Sequence, residues 1–276
     1  MRKSPYQNPF QTDRWLEGFH GPVQRVETEW IRHIDEITHT KTRSNTFRMI
    51  VLFHEDGKKQ EEVSFNPDGT TAYRELYQYD ENGRLTEKRS CDSGGTVRWR
   101  WVYEFDPAGR HLTEVLYDAQ GEISSREVIH FNAQGEKIGE DVLDSTGEPV
   151  HRNEFVYGRN AEGFETVMLT FSPKHELLKR RIYTYDESGR LLDKSIYRGN
   201  GLLESRERFA YDAAGNVREA ITYQPDGAAG FRYTYRYEYG DRGDWIRRET
   251  EVELHRAGGP DHWLAEHTRR GLTYYP

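Results

Sequence analysis

The chain has 276 residues, of which 34% are hydrophobic, 13% aromatic and 31% charged, with a formal net charge of −8 at pH 7. That supply of apolar side chains excludes a large conventional aliphatic globule, and the acidic balance weighs against a generic nucleic-acid binder. Cys91 is the single cysteine, so no internal disulfide is possible, and the thiol is expected to fill space rather than react.

The opening MRKSPYQNPFQTDRW carries basic residues with no apolar stretch behind them, so residues 1–20 read as an N-terminal arm without a Sec-type signal. No later segment approaches the length of a membrane helix. A cytoplasmic protein without membrane insertion is expected, with export by a signal-less route left open. Residues 21–276 read as one domain. Strands are predicted over 23–34 and 46–54, separated by the polar run HTKTRSN, then one strand per turn up to residue 239, and finally over 244–256 and 262–275.

The turns carry the pattern. An aromatic residue, then Asp or Asn, then two residues and Gly recurs as FNPDG at Phe65, YDENG at Tyr79, FDPAG at Phe105, YDAQG at Tyr117, FNAQG at Phe131, YDESG at Tyr185 and YDAAG at Tyr211. The Asx side chain caps a type I turn, and glycine takes the positive φ of a G1 bulge. Pre-turn residues fall at Phe53, Phe65, Tyr79, Cys91, Phe105, Tyr117, Phe131, Leu143, Tyr157, Phe171, Tyr185, Tyr197, Tyr211, Tyr223 and Tyr239, and Phe53 to Tyr79 spans 26 residues, one short strand and one long. All these positions are odd-numbered. Because strand side chains alternate with period two, all are expected on one buried face. The long strand VRWRWVYEF supports this by placing Val97, Trp99, Trp101, Tyr103 and Phe105 together.

The motifs YDENGRL at Tyr79 and YDESGRL at Tyr185, with YDAAGNV at Tyr211, resemble the unit of the short bacterial RHS/YD-repeat proteins. The resemblance spans roughly residues 50 to 245. It implies the curled β-shell of that family without its toxin, because the only Asp-Pro, Asp106-Pro107, lies among the repeats and no DPxG-type core motif or toxic tail follows. The fold class is therefore all-β: an antiparallel meander of about 18 strands, built from 26-residue hairpin repeats and curled into an open trough or a flattened barrel. Laid flat, that sheet would be roughly 85 Å wide with one aromatic face in water, which is why it should curl.

Arg48, Arg74, Arg100, Arg126, Arg152, Arg180 and Arg206 each lie five positions before a long-strand aromatic, forming an outer stripe. A polyanion dock is one reading. Cross-strand ion pairs, with Arg74 opposite Glu62, Arg126 opposite Glu114 and Arg152 opposite Glu140, are the preferred one.

On the other face, Tyr73, Glu75, Arg89, Trp99, Trp101 and Tyr117 have the composition of a ligand-binding platform for sugars, with plain core packing as the competing account. Glu127, Asp141 and His151 are expected in one row, a carboxylate pair beside an imidazole that could do acid and base work. His33, Asp35 and His39 straddle a loop boundary without metal-ligand spacing, and His262 and His267 differ in parity, so no metal is expected, nor any cofactor. The sequence thus points to a non-enzymatic interaction or scaffold module with a protein partner, and homodimerisation through the end strands is plausible. A carbohydrate-binding protein is the second reading, and a glycoside-hydrolase-like enzyme at Glu127, Asp141 and His151 the third.

Overall fold

A computed structural model describes residue 19 and residues 21–34, 43–254 and 261–276, with side chains given for these except 32–34, 43–45 and 261–264. The expectations for His33, Asp35, His39 and His262 as ligands lie outside the described side chains. Among the described residues are eighteen strands: β1 (Val23–Ile34), β2 (Arg43–Phe53), β3 (Lys59–Phe65), β4 (Thr71–Tyr79), β5 (Leu85–Cys91), β6 (Val97–Phe105), β7 (His111–Tyr117), β8 (Ile123–Phe131), β9 (Lys137–Asp144), β10 (Pro149–Asn160), β11 (Gly163–Phe171), β12 (Leu177–Tyr185), β13 (Leu191–Arg198), β14 (Leu203–Tyr211), β15 (Val217–Tyr223), β16 (Ala229–Tyr239), β17 (Trp245–Leu254) and β18 (Asp261–Tyr274).

All eighteen belong to one antiparallel sheet, and β1 pairs with both β2 and β18. The ladder thus runs from β2 round to β18 and back to β1, and the all-β antiparallel meander is confirmed. Closure also removes the end strands as docking edges: β1 is paired on both sides, and so is β18, by β1 and β17. Homodimerisation by pairing of end strands has no edge to use.

The turns form as their chemistry dictates. After β4 the Gly83 N–H donates to Asp80 O and the Asp80 N–H to Arg84 O, both at 2.9 Å. Asp80 Oδ1 accepts the N–H groups of Asn82 at 3.0 Å and Arg84 at 2.8 Å. Gly83 has φ 75°, and a Cβ there would strike the Lys58 ammonium. The same cap recurs at Asp118, Asn132 and Asp186.

Each such turn closes through a bulge, and the bulge overturns the expectation that all pre-turn residues share a face. Tyr79 faces Leu85, but Gln78 already faces Glu87. The one-residue slip recurs at Phe53, Phe131, Tyr185 and Tyr211. Beyond it, odd positions of a long strand face even positions of the short one. One face, the first, thus carries odd residues of the long strands and even residues of the short strands; the second face carries the rest.

Pre-turn residues of the short strands therefore lie on the second face, directly opposite the arginine stripe: Arg48 faces Phe65, Arg74 faces Cys91, Arg100 faces Tyr117, Arg126 faces Leu143, Arg152 faces Phe171, Arg180 faces Tyr197 and Arg206 faces Tyr223. Long-strand tyrosines of the first face reach back instead. The hydroxyls of Tyr79, Tyr157 and Tyr211 donate to the carbonyls of Lys59, Lys137 and Leu191 at 2.9, 2.6 and 2.7 Å, each twenty residues upstream.

The chain divides into two compact units, one over residues 100–231 and one over 9–99 with 232–276. The second unit has an aliphatic and aromatic cluster of Phe19, Val23, Val26, Val51 and Phe53, flanked by Met49, Leu272 and Tyr274. Phe19, within the expected N-terminal arm, is buried there and meets Phe53 edge-on at 6.1 Å. In the first unit the buried set is largely polar, with Asn153, Thr166, Thr170, Thr184, Asp193 and Ser195 beside Val115, Ile129 and Tyr185. Polar groups placed there need hydrogen-bond partners, which concentrates networks in this unit.

Candidate functional site

The bulge redistributes the residues that the sequence singles out. Glu75 faces Ser90 rather than Arg89, which faces Leu76 on the second face. Tyr73, Glu75 and Trp99 remain on the first face of their unit, while Tyr117 lies on the second face against Arg100. Trp101 faces Leu116 on the first face of the other unit. Lys88 takes the place foreseen for Arg89: its Nζ lies 2.8 Å from Glu75 Oε2 and 5.3 Å from the Trp99 ring centroid. Tyr77 donates its hydroxyl to Glu75 Oε2 at 3.0 Å, and Lys59 Nζ sits 3.2 Å from Glu62 Oε2. Of the rings of the would-be sugar platform Trp99 thus lies under an ammonium group, and Lys59 and Lys88 also lie over the neighbouring Tyr77.

Arg48, Arg100, Arg180 and Arg206 of the stripe stack on the aromatic residues opposite them. Guanidinium-to-centroid distances are 4.7 Å for Arg48 on Phe65, 4.4 Å for Arg100 on Tyr117, 4.8 Å for Arg180 on Tyr197 and 5.6 Å for Arg206 on Tyr223. Acidic partners exist, but not the ones foreseen. Arg74 bonds Glu61 at 2.6 Å while facing Val63, Arg126 faces Val115, and Arg152 faces Asp141 and lies 3.8 Å from it. Arg48 meets Glu27 at 2.6 Å and Arg206 meets Asp193 at 2.7 Å. The stripe accordingly holds strands together.

The foreseen row of Glu127, Asp141 and His151 does not assemble. Glu127 faces Val142, and Val142 faces His151 on the first face; Asp141 faces Val128 and Arg152 on the second. There Asp141 Oδ2 lies 2.7 Å from His130 Nε2, and His130 Nδ1 lies 3.0 Å from His111 Nδ1.

What the sequence reading missed is Glu114, which stands directly opposite Glu127, with Tyr103 opposite Glu114 on the other side. Adding the one-residue slip to the turn spacing would have found it. Burial first, then the facing Glu127, raises the Glu114 carboxyl to about 7, with Glu140 adding and Lys137 opposing. Glu127 is also raised, by burial first and then by Glu140, while Lys137 and His151 pull it back. Glu140 is better provided for. It is bonded by Lys137 and accepts from Asn153 Nδ2 at 2.9 Å. The network runs on as Thr170 Oγ1 donates to Asn153 Oδ1 at 2.7 Å and Arg181 Nη1 donates to Thr170 Oγ1 at 2.8 Å. The outcome is a half-buried acidic patch over β7, β8 and β9, backed by a hydrogen-bonded polar strip. Among the described residues no cluster of three or more His, Cys, Asp or Glu side chains is arranged to hold a metal ion.

No family model matches the chain, and no curated protein matches it. A porin-like protein from Bacteroides uniformis ATCC 8492 is similar at a TM-score of 0.50 and 11% identity, covering 91% of this chain and 97% of that one. A porin-like protein from Bacteroides vulgatus ATCC 8482 has a TM-score of 0.37 at 12% identity, covering 92% and 98%. A putative outer membrane lipoprotein-sorting protein domain from Vibrio parahaemolyticus has a TM-score of 0.22 at 9% identity, covering 94% and 86%. The first likeness shows a shared fold; the other two are too loose to add to it. The resemblance to the RHS/YD-repeat proteins is overturned: no family model or curated relative supports it, and the fold likeness is to a porin-like protein. The aromatic-Asx-x-x-Gly unit is turn chemistry that any meander of alternating hairpins can use.

Proposed function

We propose that the chain is a non-enzymatic binding protein that holds a cationic, extended segment of a partner polypeptide on the acidic patch of β7, β8 and β9. The observation that carries this reading is the direct cross-strand pair Glu114 and Glu127. Like charges opposite one another destabilise a sheet, so the fold gains nothing from them. A lysine or arginine side chain laid between the two carboxylates removes the repulsion and gains charge-assisted hydrogen bonds. The neighbouring Lys137 is already engaged by Glu140, and His151 lies across Val142 from Glu127. The net charge of −8 favours the same class of partner by steering.

Two other readings have less support. A hydrolase at Glu127, Asp141 and His151 would need side chains that lie on opposite faces, and a sugar platform would need Arg89 and Tyr117 on the face of Trp99, which Lys88 already covers. Fold likeness to a porin-like protein brings no membrane role with it. No helix among the described residues is long and apolar enough to cross a membrane, which leaves strands open. The more exposed second face, however, presents Arg74, Arg152 and Arg180. An arginine on a lipid-facing strand costs ~2–4 kcal/mol at the bilayer midplane.

The test is titration calorimetry of the full chain with an octalysine peptide at pH 6 and pH 8. Saturable binding is expected to tighten by about tenfold at pH 8, as Glu114 loses its proton, and to be lost in Glu114→Gln/Glu127→Gln. The control Glu122→Gln/Glu148→Gln, which removes two exposed turn carboxylates, should bind as the parent does. Equal weakening in both double variants would mean diffuse attraction and would overturn the reading.

A further inference from the structure

His111 and His130 stand directly opposite one another, where β7 begins and β8 nears its end. By the parity of their strands both lie on the second face, away from the acidic patch. Their Nδ1 atoms are 3.0 Å apart, and the rings meet at 88° with centroids 5.0 Å apart. The support behind them is ordered. Gly139 faces His130 across the β8–β9 ladder, and a Cβ there would lie 3.5 Å from His130 Cδ2, so the ring lies across a strand position that has no side chain. It thereby reaches Asp141, two residues along β9, whose Oδ2 lies 2.7 Å from His130 Nε2. Arg152 Nε stands 3.8 Å from the other oxygen of that carboxylate. His111 is exposed and 27% of the His130 side-chain surface remains accessible, so an ion reaches the pair directly from solvent.

These contacts assign the donor roles. With Asp141 accepting from Nε2, His130 presents a lone pair at Nδ1, and His111 donates its Nδ1 proton to it. One proton held between two converging nitrogens can give way to one metal ion. Imidazole nitrogens bind first-row transition metals at about 2.0–2.1 Å, which sets neighbouring ligands about 2.9 Å apart around a square plane and about 3.3–3.4 Å apart around a tetrahedron. The observed 3.0 Å matches the square plane, the geometry of divalent copper or nickel. Histidine χ2 is broad, so small ring rotations turn both lone pairs from one another to a shared point beside them. The His111 proton passes from Nδ1 to Nε2 as the ion binds, and no proton is gained or lost. A carboxylate on the far nitrogen of a ligating histidine fixes its tautomer and its orientation, and Asp141 is placed to do so.

We propose that His111 and His130 form a two-imidazole site for a divalent transition-metal ion, Cu²⁺ ahead of Ni²⁺ and Zn²⁺, with water completing the coordination and Asp141 as the positioning residue behind His130. Copper leads because it stands highest in the affinity order of the divalent first-row ions and because the spacing suits a square plane. Such a site needs fewer protein ligands than the clusters of three or more that the described residues do not form. It shares no residue with the acidic patch, and neither depends on the other.

The experiment is titration of the full chain with Cu²⁺ at pH 7.5 in a non-coordinating buffer, read by calorimetry and by electron paramagnetic resonance. The first equivalent is expected to be tetragonal copper with two imidazole nitrogens. That equivalent should be lost in His111→Gln and in His130→Gln, and it should weaken by about tenfold in Asp141→Asn, which keeps both ligands. Circular dichroism checks that strand content is retained. Should His130→Gln disturb the sheet, His111→Gln, at the exposed ligand, decides. The control His175→Asn, which removes an exposed imidazole from another turn, should bind as the parent does. A first equivalent that survives His111→Gln, or one that carries a single imidazole nitrogen, would overturn the assignment. Unchanged affinity in Asp141→Asn would remove Asp141 from it.

Discussion

His175 shows how tightly single positions are constrained in these turns. It has φ 61° in the hairpin between β11 and β12, the one positive-φ residue other than glycine among the described residues. Its N–H donates to Ser172 O at 2.9 Å, as the glycine does elsewhere, and Ser172 Oγ replaces the Asx cap, accepting from Lys174 and Glu176 at 3.2 Å. A side chain in the left-handed region costs ~1–2 kcal/mol, partly offset because glycine loses more freedom on folding. His175→Gly should therefore stabilise the chain by about 0.5–1 kcal/mol, a rise of roughly 2–4 °C in Tm by calorimetry. A fall in Tm would mean that the imidazole makes a compensating interaction. The arginine stripe belongs to this scale too. Each arginine that stacks on the ring opposite it contributes about 0.5–1 kcal/mol, which makes the stripe a set of local staples.

Pairs of strands decide where chemistry can occur. The short strand β7 and the long strand β8 bring Glu114 and Glu127 together, and the resulting pH dependence has a definite sign. A carboxyl raised from 4.5 to about 7 in the folded chain contributes stability that is fully present below its ordinary value and is lost as the pH rises through about 7. Urea unfolding should show the parent losing on the order of 1 kcal/mol between pH 5 and pH 8, solvent screening included, while Glu114→Gln loses less than half as much. A parallel pH profile for the two would remove Glu114 as the cause.

The hairpins that bring this pair together were legible from the recurring Tyr-Asp-x-x-Gly at Tyr79 and Tyr185, because turn chemistry is local. Face assignment was not. The G1 bulge adds a residue to one strand only, so the even spacing from Tyr79 to Cys91 conceals a change of side. That single slip put Arg89 in the place of Lys88, moved Asp141 away from His151 and hid Glu114. The place of β1 beside both β2 and β18 was invisible for another reason: it is a pairing between the two ends of the chain that no local pattern encodes.

For the molecule as a whole, that terminal pairing is the decisive contact. Val23 faces Tyr274 and Ile31 faces His267, so the last strand closes what the first began. Removing residues 261–276 would strip β1 and β17 of a partner at once and leave two unpaired edges. Sedimentation of that truncated chain should show concentration-dependent self-association absent from the full chain. A well-behaved monomer with unchanged strand content would mean that the closing pair is dispensable. Closure also joins residues about 240 positions apart, a long-range step that can follow only after local hairpins exist, which favours slow completion of folding.

The bulge has a bearing on descent as well as on geometry. Each slip in one hairpin is undone by the next pairing, so the long strands keep their parity from one 26-residue unit to the next, as between Phe53 and Tyr79. Duplication or loss of a whole unit would add or subtract two strands while every remaining side chain kept its orientation. A lineage built this way could change its strand number in single genetic steps, whereas an insertion of one residue would turn a strand inside out.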